Sequence, residues 1–411
     1  MAPWGQMKSD EQLAPFVIQD GLKQLMRPGS LGVIAVIGYV FCLSFDSTPD
    51  LATFILVAFG LMAIHSRQGL RPQLGRLDYI VILLVIFAAG LSTLLSVEPA
   101  RGLRFLVYLC LNMFLLLLCS AMVTRRAVHV VAGCLGLLGV LYLLALLLSG
   151  QYSYPATPNS LVRYLNISTL VVPNDALILG LCLPSLIFFI LAIDTRNRIF
   201  QYIAVALYLA FSVYVSYLLQ SKLTLISLVT ASLALAVTWF TFSRGKKLAE
   251  HRATVMIGTF GLLLLLSAMA WYLGNQSTTR LSLWSAAITA HTTAPEILFG
   301  AGPNTFLFNP GVTESSFDKG ILVIPWVHNL YLEAYYDQGL FGIVGILALT
   351  IIPLTRAVKI EDRSIRTMLV ASIITFCLLA LFEITLTRRF YFAYLAILYG
   401  LSKAQIKEAE P

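Results

Sequence analysis

The stretch HNLYLEAYYDQGLFG, His328 to Gly342, gathers a histidine, two amides, two acids and three tyrosines in an otherwise greasy chain. Its spacing reads as a helix start with His328 in the first turn. There the positive end of the helix dipole disfavours imidazolium. A neutral ring can accept a proton, so His328 is a candidate general base. Asn329 and Glu333 share a helical face at i and i+4, and Tyr331 and Tyr335 share another. Cations elsewhere offer complementary chemistry. Arg101 and Arg104 in EPARGLRF share one face. Lys222 sits in LLQSKLTLI, Arg280 opens the helical pattern TRLSLWSAAITAH, which also holds Trp284, and Arg388 and Arg389 crowd the turn TLTRR. A pocket lined by them suits a phosphate or diphosphate, because the planar guanidinium fork binds two oxygens at once.

The elements that must hold these groups are helices in a membrane. Hydrophobic residues make up 58% of the 411, and charged residues only 12%. Soluble domains carry about 25% charged residues. Apolar runs of span length recur, which predicts an all-α, polytopic membrane protein rather than a β-barrel. Twelve spans are expected, at about 31–45, 51–66, 78–96, 103–123, 127–149, 175–193, 199–219, 223–242, 254–273, 339–355, 366–384 and 389–402. The N-terminus lacks a signal-peptide layout, and no cleavage is expected. All six cysteines lie in apolar runs and read as packing residues.

Lysine and arginine set the expected orientation. With both termini cytoplasmic, 20 of the 28 fall in inner loops. The other eight face outward: Arg101, Arg104, Arg163, Lys222, Arg280, Lys319, Arg388 and Arg389. The net charge of +8 is then a topology signal and does not call for nucleic acid. Residues 1–273 carry nine spans, 274–338 form a small helical outer cap, and 339–411 carry three more. Within the cap, FGAGPNTFLFNPG reads as a loop, and PWVHNLYLEAYYDQ as a helix starting near Pro325 and ending before Gly339. His291 closes the first cap helix and reads as a solvated end. The outer acids form no DxD or HxxE cluster, so no metal site and no cofactor is expected.

Three stretches in order carry a family pattern: RLSLW (Arg280 to Trp284), PEILFGAGPNTF (Pro295 to Phe306) and HNLYLEAYYDQGLFG. They resemble the O-antigen ligase / O-antigen polymerase superfamily over about 65 residues, and the span layout extends the likeness to most of the chain. Where that family often has Ser-Arg-Gly at the outer start of span eight, this chain has Ser221, Lys222 and Leu223. The charge is kept, the fork and the glycine are not. The resemblance implies a GT-C-like membrane glycosyltransferase, metal-independent and inverting, on the periplasmic face of a bacterial inner membrane. Its donor would be a glycan on undecaprenyl diphosphate, and its acceptor a sugar hydroxyl of lipid A–core. It gives His328 the role of base and Arg280, Lys222 and Arg101 or Arg104 the diphosphate. Arg388, Arg389, Asn329, Tyr331 and Trp284 are expected to bind substrate. A polymerase, whose acceptor is a second prenyl-linked glycan, is the alternative. A protein O-oligosaccharyltransferase is disfavoured by the short C-terminal tail. A transporter is disfavoured because no charge lies mid-span.

Overall fold

The computed structural model describes residues 35–40, 42, 49–65, 74–122, 125–149, 177–193, 198–218, 222–243, 278–308, 327–382, 384 and 389–404. Every regular element among them is helical. In chain order these are α1 (Pro49–His65), α2 (Arg76–Leu95), α3 (Pro99–Met122), α4 (Arg125–Ser149), α5 (Ile178–Ala192), α6 (Ile199–Leu218) and α7 (Lys222–Ser243). The cap contributes α8 (Thr278–Thr289), α9 (Ala294–Phe299) and a 3-10 turn, Phe306–Phe308. Then come α10 (Leu330–Ala357), α11 (Arg363–Ala380) and α12 (Arg389–Ala404).

Seven of the described helices are long and apolar enough to cross a membrane: α2, α3, α4, α6, α7, α10 and α11. Seven of the expected twelve are thus shown among the described residues. At 17, 15 and 16 residues, α1, α5 and α12 fall short of a full span, which takes about 20 residues. The expected span 254–273 lies outside the described residues, as does most of 31–45. Two of the short helices have another job. Phe390 to Ser402 of α12 and Leu177 to Leu186 at the start of α5 are buried throughout. A helix apolar on all sides belongs inside a bundle. α12 packs on α3 and α10, and α5 on α4, α7 and α11. Their buried hydroxyls are satisfied locally, as burial requires: Tyr394 of α12 donates to the Leu181 carbonyl at 2.7 Å, and Tyr208 of α6 to that of Leu179 at 2.8 Å. The surrounding helices turn large apolar side chains outward, among them Leu83, Phe200, Phe211 and Phe240, as lipid-facing spans do.

The bundle has two chemically distinct ends. At one, the start of α2 meets the ends of α10 and α12. Asp78, fully buried, ion-pairs with Arg356 at 2.5 Å and accepts from the Tyr399 hydroxyl at 2.5 Å. Its second oxygen accepts the Gly75 N–H at 2.8 Å, and Lys403 lies 4.0 Å away. A buried carboxylate is tolerated when it is paired and hydrogen-bonded in this way. At the opposite end, the last turn of α2 and the first of α3 meet the cap and the start of α10.

Candidate active site at the cap

The helix carrying the motif starts later than its spacing suggests. α10 begins at Leu330 with Asn329 as its N-cap, so His328 precedes the cap rather than lying in the first turn. The Asn329 side-chain oxygen accepts the N–H groups of Tyr331 and Leu332 at 3.0 and 3.1 Å. Its Nδ2 donates to the Leu381 carbonyl at the end of α11, 3.0 Å away. Both ends of the buried amide are thus engaged in holding the helix start, as an N-cap does. Its geometry is that of a positioning residue. His328 adopts φ 56, the left-handed region that a non-glycine residue enters at a cost of about 1–3 kcal/mol. The imidazole on this strained backbone is half-buried. Such strain is concentrated at functional sites.

The other end of the motif is a dock for the cap. α10 breaks at Gly339, which has φ 66 and ψ −155, and continues as the span. A break in a helix orphans carbonyls. Here the cap supplies donors: Ala301 N–H reaches the Tyr336 carbonyl at 2.8 Å and Gly302 N–H that of Asp337 at 3.1 Å. Ser92 of α2 donates its hydroxyl to the same Asp337 carbonyl. His291 Nε2 lies 3.0 Å from the Tyr336 carbonyl and 3.3 Å from that of Tyr335. Carbonyls only accept, so Nε2 carries the proton. The expected solvated end is therefore buried, its ring stacked on Tyr336 and edge-on to Tyr335. The loop approaches so closely that a Cβ on Gly300 would overlap the Asp337 backbone, and one on Gly339 the Leu298 backbone. That is the physical use of the glycines in FGAGPNTF and DQG.

Asp337 is the residue the sequence does not single out. It lies just before the break in α10 and is 1% exposed. Oδ2 accepts the N–H of Asn304, itself at φ 59, at 3.3 Å. Oδ1 is buried and has no hydrogen-bond partner among the described residues. The start of α9, by contrast, is ordinary surface chemistry. Glu296 there accepts the N–H groups of Thr292 and Thr293 at 3.0 and 3.1 Å. Those bonds hold its carboxyl below the usual range.

The other candidate residues distribute as follows. Arg101 in the first turn of α3 places its guanidinium 4.9 Å above the ring of Phe308, which follows the loop. Arg104, one turn on, is exposed. Leu283 and Ala287 of α8 form a small core with Phe306, Val327 and Tyr336, and Trp284 packs against it. The indole Nε1 is buried without a partner among the described residues. Arg280 precedes Leu283 by one turn, and Val327 precedes His328, so the backbone brings the Arg280 turn and His328 to one corner. Tyr331 is half-buried, its hydroxyl 3.4 Å from the Cys377 carbonyl. Lys222 and Arg389 are the first residues of α7 and α12, and Arg388 lies outside the described residues. Ser92 and Asp337 join the site unannounced, and His291 joins it as a buried group rather than a solvated end. The only early signal is that acid and histidine both fall in apolar surroundings, where a polar side chain needs a structural partner.

The arrangement combines a histidine before a capped helix start with arginines in the first turns of α8 and α3. No protein-family model matches the chain, and no curated protein matches it.

Proposed function

We propose that the chain is an O-antigen ligase: a metal-independent, inverting glycosyltransferase acting at the periplasmic face of a bacterial inner membrane, with both termini cytoplasmic. It moves a glycan from undecaprenyl diphosphate to a sugar hydroxyl of lipid A–core in lipopolysaccharide biosynthesis. The observation that carries this reading is His328: strained, half-buried, and pinned between the Asn329 cap and the core shared with the Arg280-bearing helix. The motif order described above supports the same family.

In this reading His328 takes the proton of the acceptor hydroxyl as its oxygen attacks the anomeric carbon. The carbon–oxygen bond to the diphosphate breaks on the opposite face, which inverts the configuration. Undecaprenyl diphosphate leaves with both bonding electrons. Arg280, Lys222 and Arg101 or Arg104 offset the charge that grows on it, a transition-state interaction that speeds the chemical step. Arg388 and Arg389 extend the cationic rim. The Asp337 dock keeps the loop, and with it the Phe308–Arg101 stack, against the bundle. Both substrates arrive with lipid tails in the bilayer, and the capped corner lies at the end of the spans where such headgroups sit.

Deletion of the gene followed by lipopolysaccharide analysis tests this. A ligase leaves the core bare, with long glycans stranded on the prenyl carrier. A core bearing a single repeat unit would replace the ligase reading by the polymerase. Unchanged lipopolysaccharide would overturn both.

A further inference from the structure

Arg101 stands in the first turn of α3, at the positive end of the helix dipole, where a cation is disfavoured. No acid offsets it. Among the described residues its side chain has neither an ion pair nor a hydrogen bond. Glu98, three residues earlier, accepts the Arg101 N–H through its backbone carbonyl at 3.1 Å, and its half-buried side chain forms no bridge to the guanidinium. What holds the guanidinium is an aromatic face, the Phe308 ring 4.9 Å away. Arg104 is exposed and has no such platform among the described residues. Helix stability therefore does not account for Arg101.

The cap sets the position of the ring. Asn304 N–H docks on Asp337 at 3.3 Å, the Thr305 hydroxyl donates to the Gly302 carbonyl at 2.6 Å, and Phe308 N–H donates to the Thr305 carbonyl at 2.9 Å. Phe306, 1% exposed, meets the Tyr336 ring edge-on at 5.0 Å. Phe306 thus bolts the 3-10 turn to α10, while Phe308 on the same turn is 42% exposed. A ring that exposed adds little to the core. Its one cationic contact is the guanidinium of a different helix, so the stack joins cap to bundle. A guanidinium over a ring keeps its N–H groups in its own plane, where they can fork onto two phosphate oxygens.

We propose that Phe308 is the positioning residue of Arg101. Its ring holds the guanidinium in place for the diphosphate of the prenyl-linked donor, which makes Arg101 rather than Arg104 the ligand. Docking of the cap and binding of the donor are thereby linked. This rests on the donor assigned under the proposed function, and the test separates the two.

The affinity of the full chain in detergent for undecaprenyl diphosphate and for undecaprenyl monophosphate is titrated by native mass spectrometry. Wild type should prefer the diphosphate. R101Q should weaken diphosphate binding at least about ten-fold, the scale of a lost charge-assisted hydrogen bond. F308L keeps an apolar side chain without a π face, and should weaken it about two- to five-fold at an unchanged melting temperature. F308Y should restore wild-type affinity. In the R101Q background F308L should add nothing, because the ring acts through the arginine. R101M replaces R101Q if the latter does not fold. Equal affinity of wild type for the two prenyl phosphates would overturn the donor reading and the proposal with it. Diphosphate preference with F308L matching wild type would overturn the proposal alone. So would an F308L effect of the same size with and without Arg101.

Discussion

Replacing Gly339 by alanine probes the break in α10 most sharply. Its φ of 66 and ψ of −155 lie in a region that is essentially glycine-only, and forcing alanine there costs about 1–3 kcal/mol. The new methyl would also overlap the Leu298 and Phe299 backbone. Backbone cannot step aside like the end of a flexible side chain, so α9 must shift. Overpacking of that kind costs about 1–3 kcal/mol more. The total is roughly 2–6 kcal/mol, and the shift pulls Ala301 and Gly302 off the carbonyls of Tyr336 and Asp337. Gly90 in α2 is the matched control, because a Cβ there meets nothing within 4 Å. In a helix interior, glycine to alanine gains up to about 1 kcal/mol. Thermal denaturation of both variants in one detergent, with proteolysis of the cap followed in parallel, reads the difference. G339A should melt lower with an opened cap, and G90A should match or exceed wild type. A G339A protein that melts with wild type and protects its cap would refute the docking argument.

Other outcomes follow from the same geometry. Asp78→Ala leaves Arg356 half-buried without its counter-charge, and should destabilise by about 3–5 kcal/mol in the same melting assay. Asn329→Ala removes an N-cap worth about 1 kcal/mol. Under the proposed function it should also lower transfer more than stability, since it releases the strained His328, and a variant with normal transfer would remove its positioning role. His291→Phe keeps the stacking on Tyr336 but drops a hydrogen bond to the freed carbonyls, and should destabilise by about 1–3 kcal/mol. Transfer activity should survive EDTA. Loss that magnesium restores would contradict a metal-free mechanism.

Elements with a periodic signal were readable from the chain. The apolar runs gave α2, α3, α4, α6, α7 and α11 to within a few residues, and TRLSLWSAAITAH gave α8. The loop through Gly300 and Gly302 was legible because turns needing positive φ favour glycine. What escaped depends on contacts between residues far apart in sequence. His291 looked solvated because its helix ends there, and Tyr335 and Tyr336, some 45 residues later, bury it. Asp337 looked like one more outer acid until Asn304 and Ser92 closed over it. Asp78 and Arg356 are separated by most of the chain. Pro325 predicts a first turn a few residues before the observed start of α10 at Leu330. The Asn329 side chain instead sets the cap, and that moves His328 from a helical turn to a strained approach.

The central claim concerns His328 as the base of a glycosyl transfer. Its most direct test is the rate at which the purified, reconstituted chain moves glycan from undecaprenyl diphosphate to lipid A–core, compared between wild type and His328→Ala at matched folding. The account predicts measurable transfer by wild type and essentially none by the variant. A folded His328→Ala protein with near-normal transfer would contradict it.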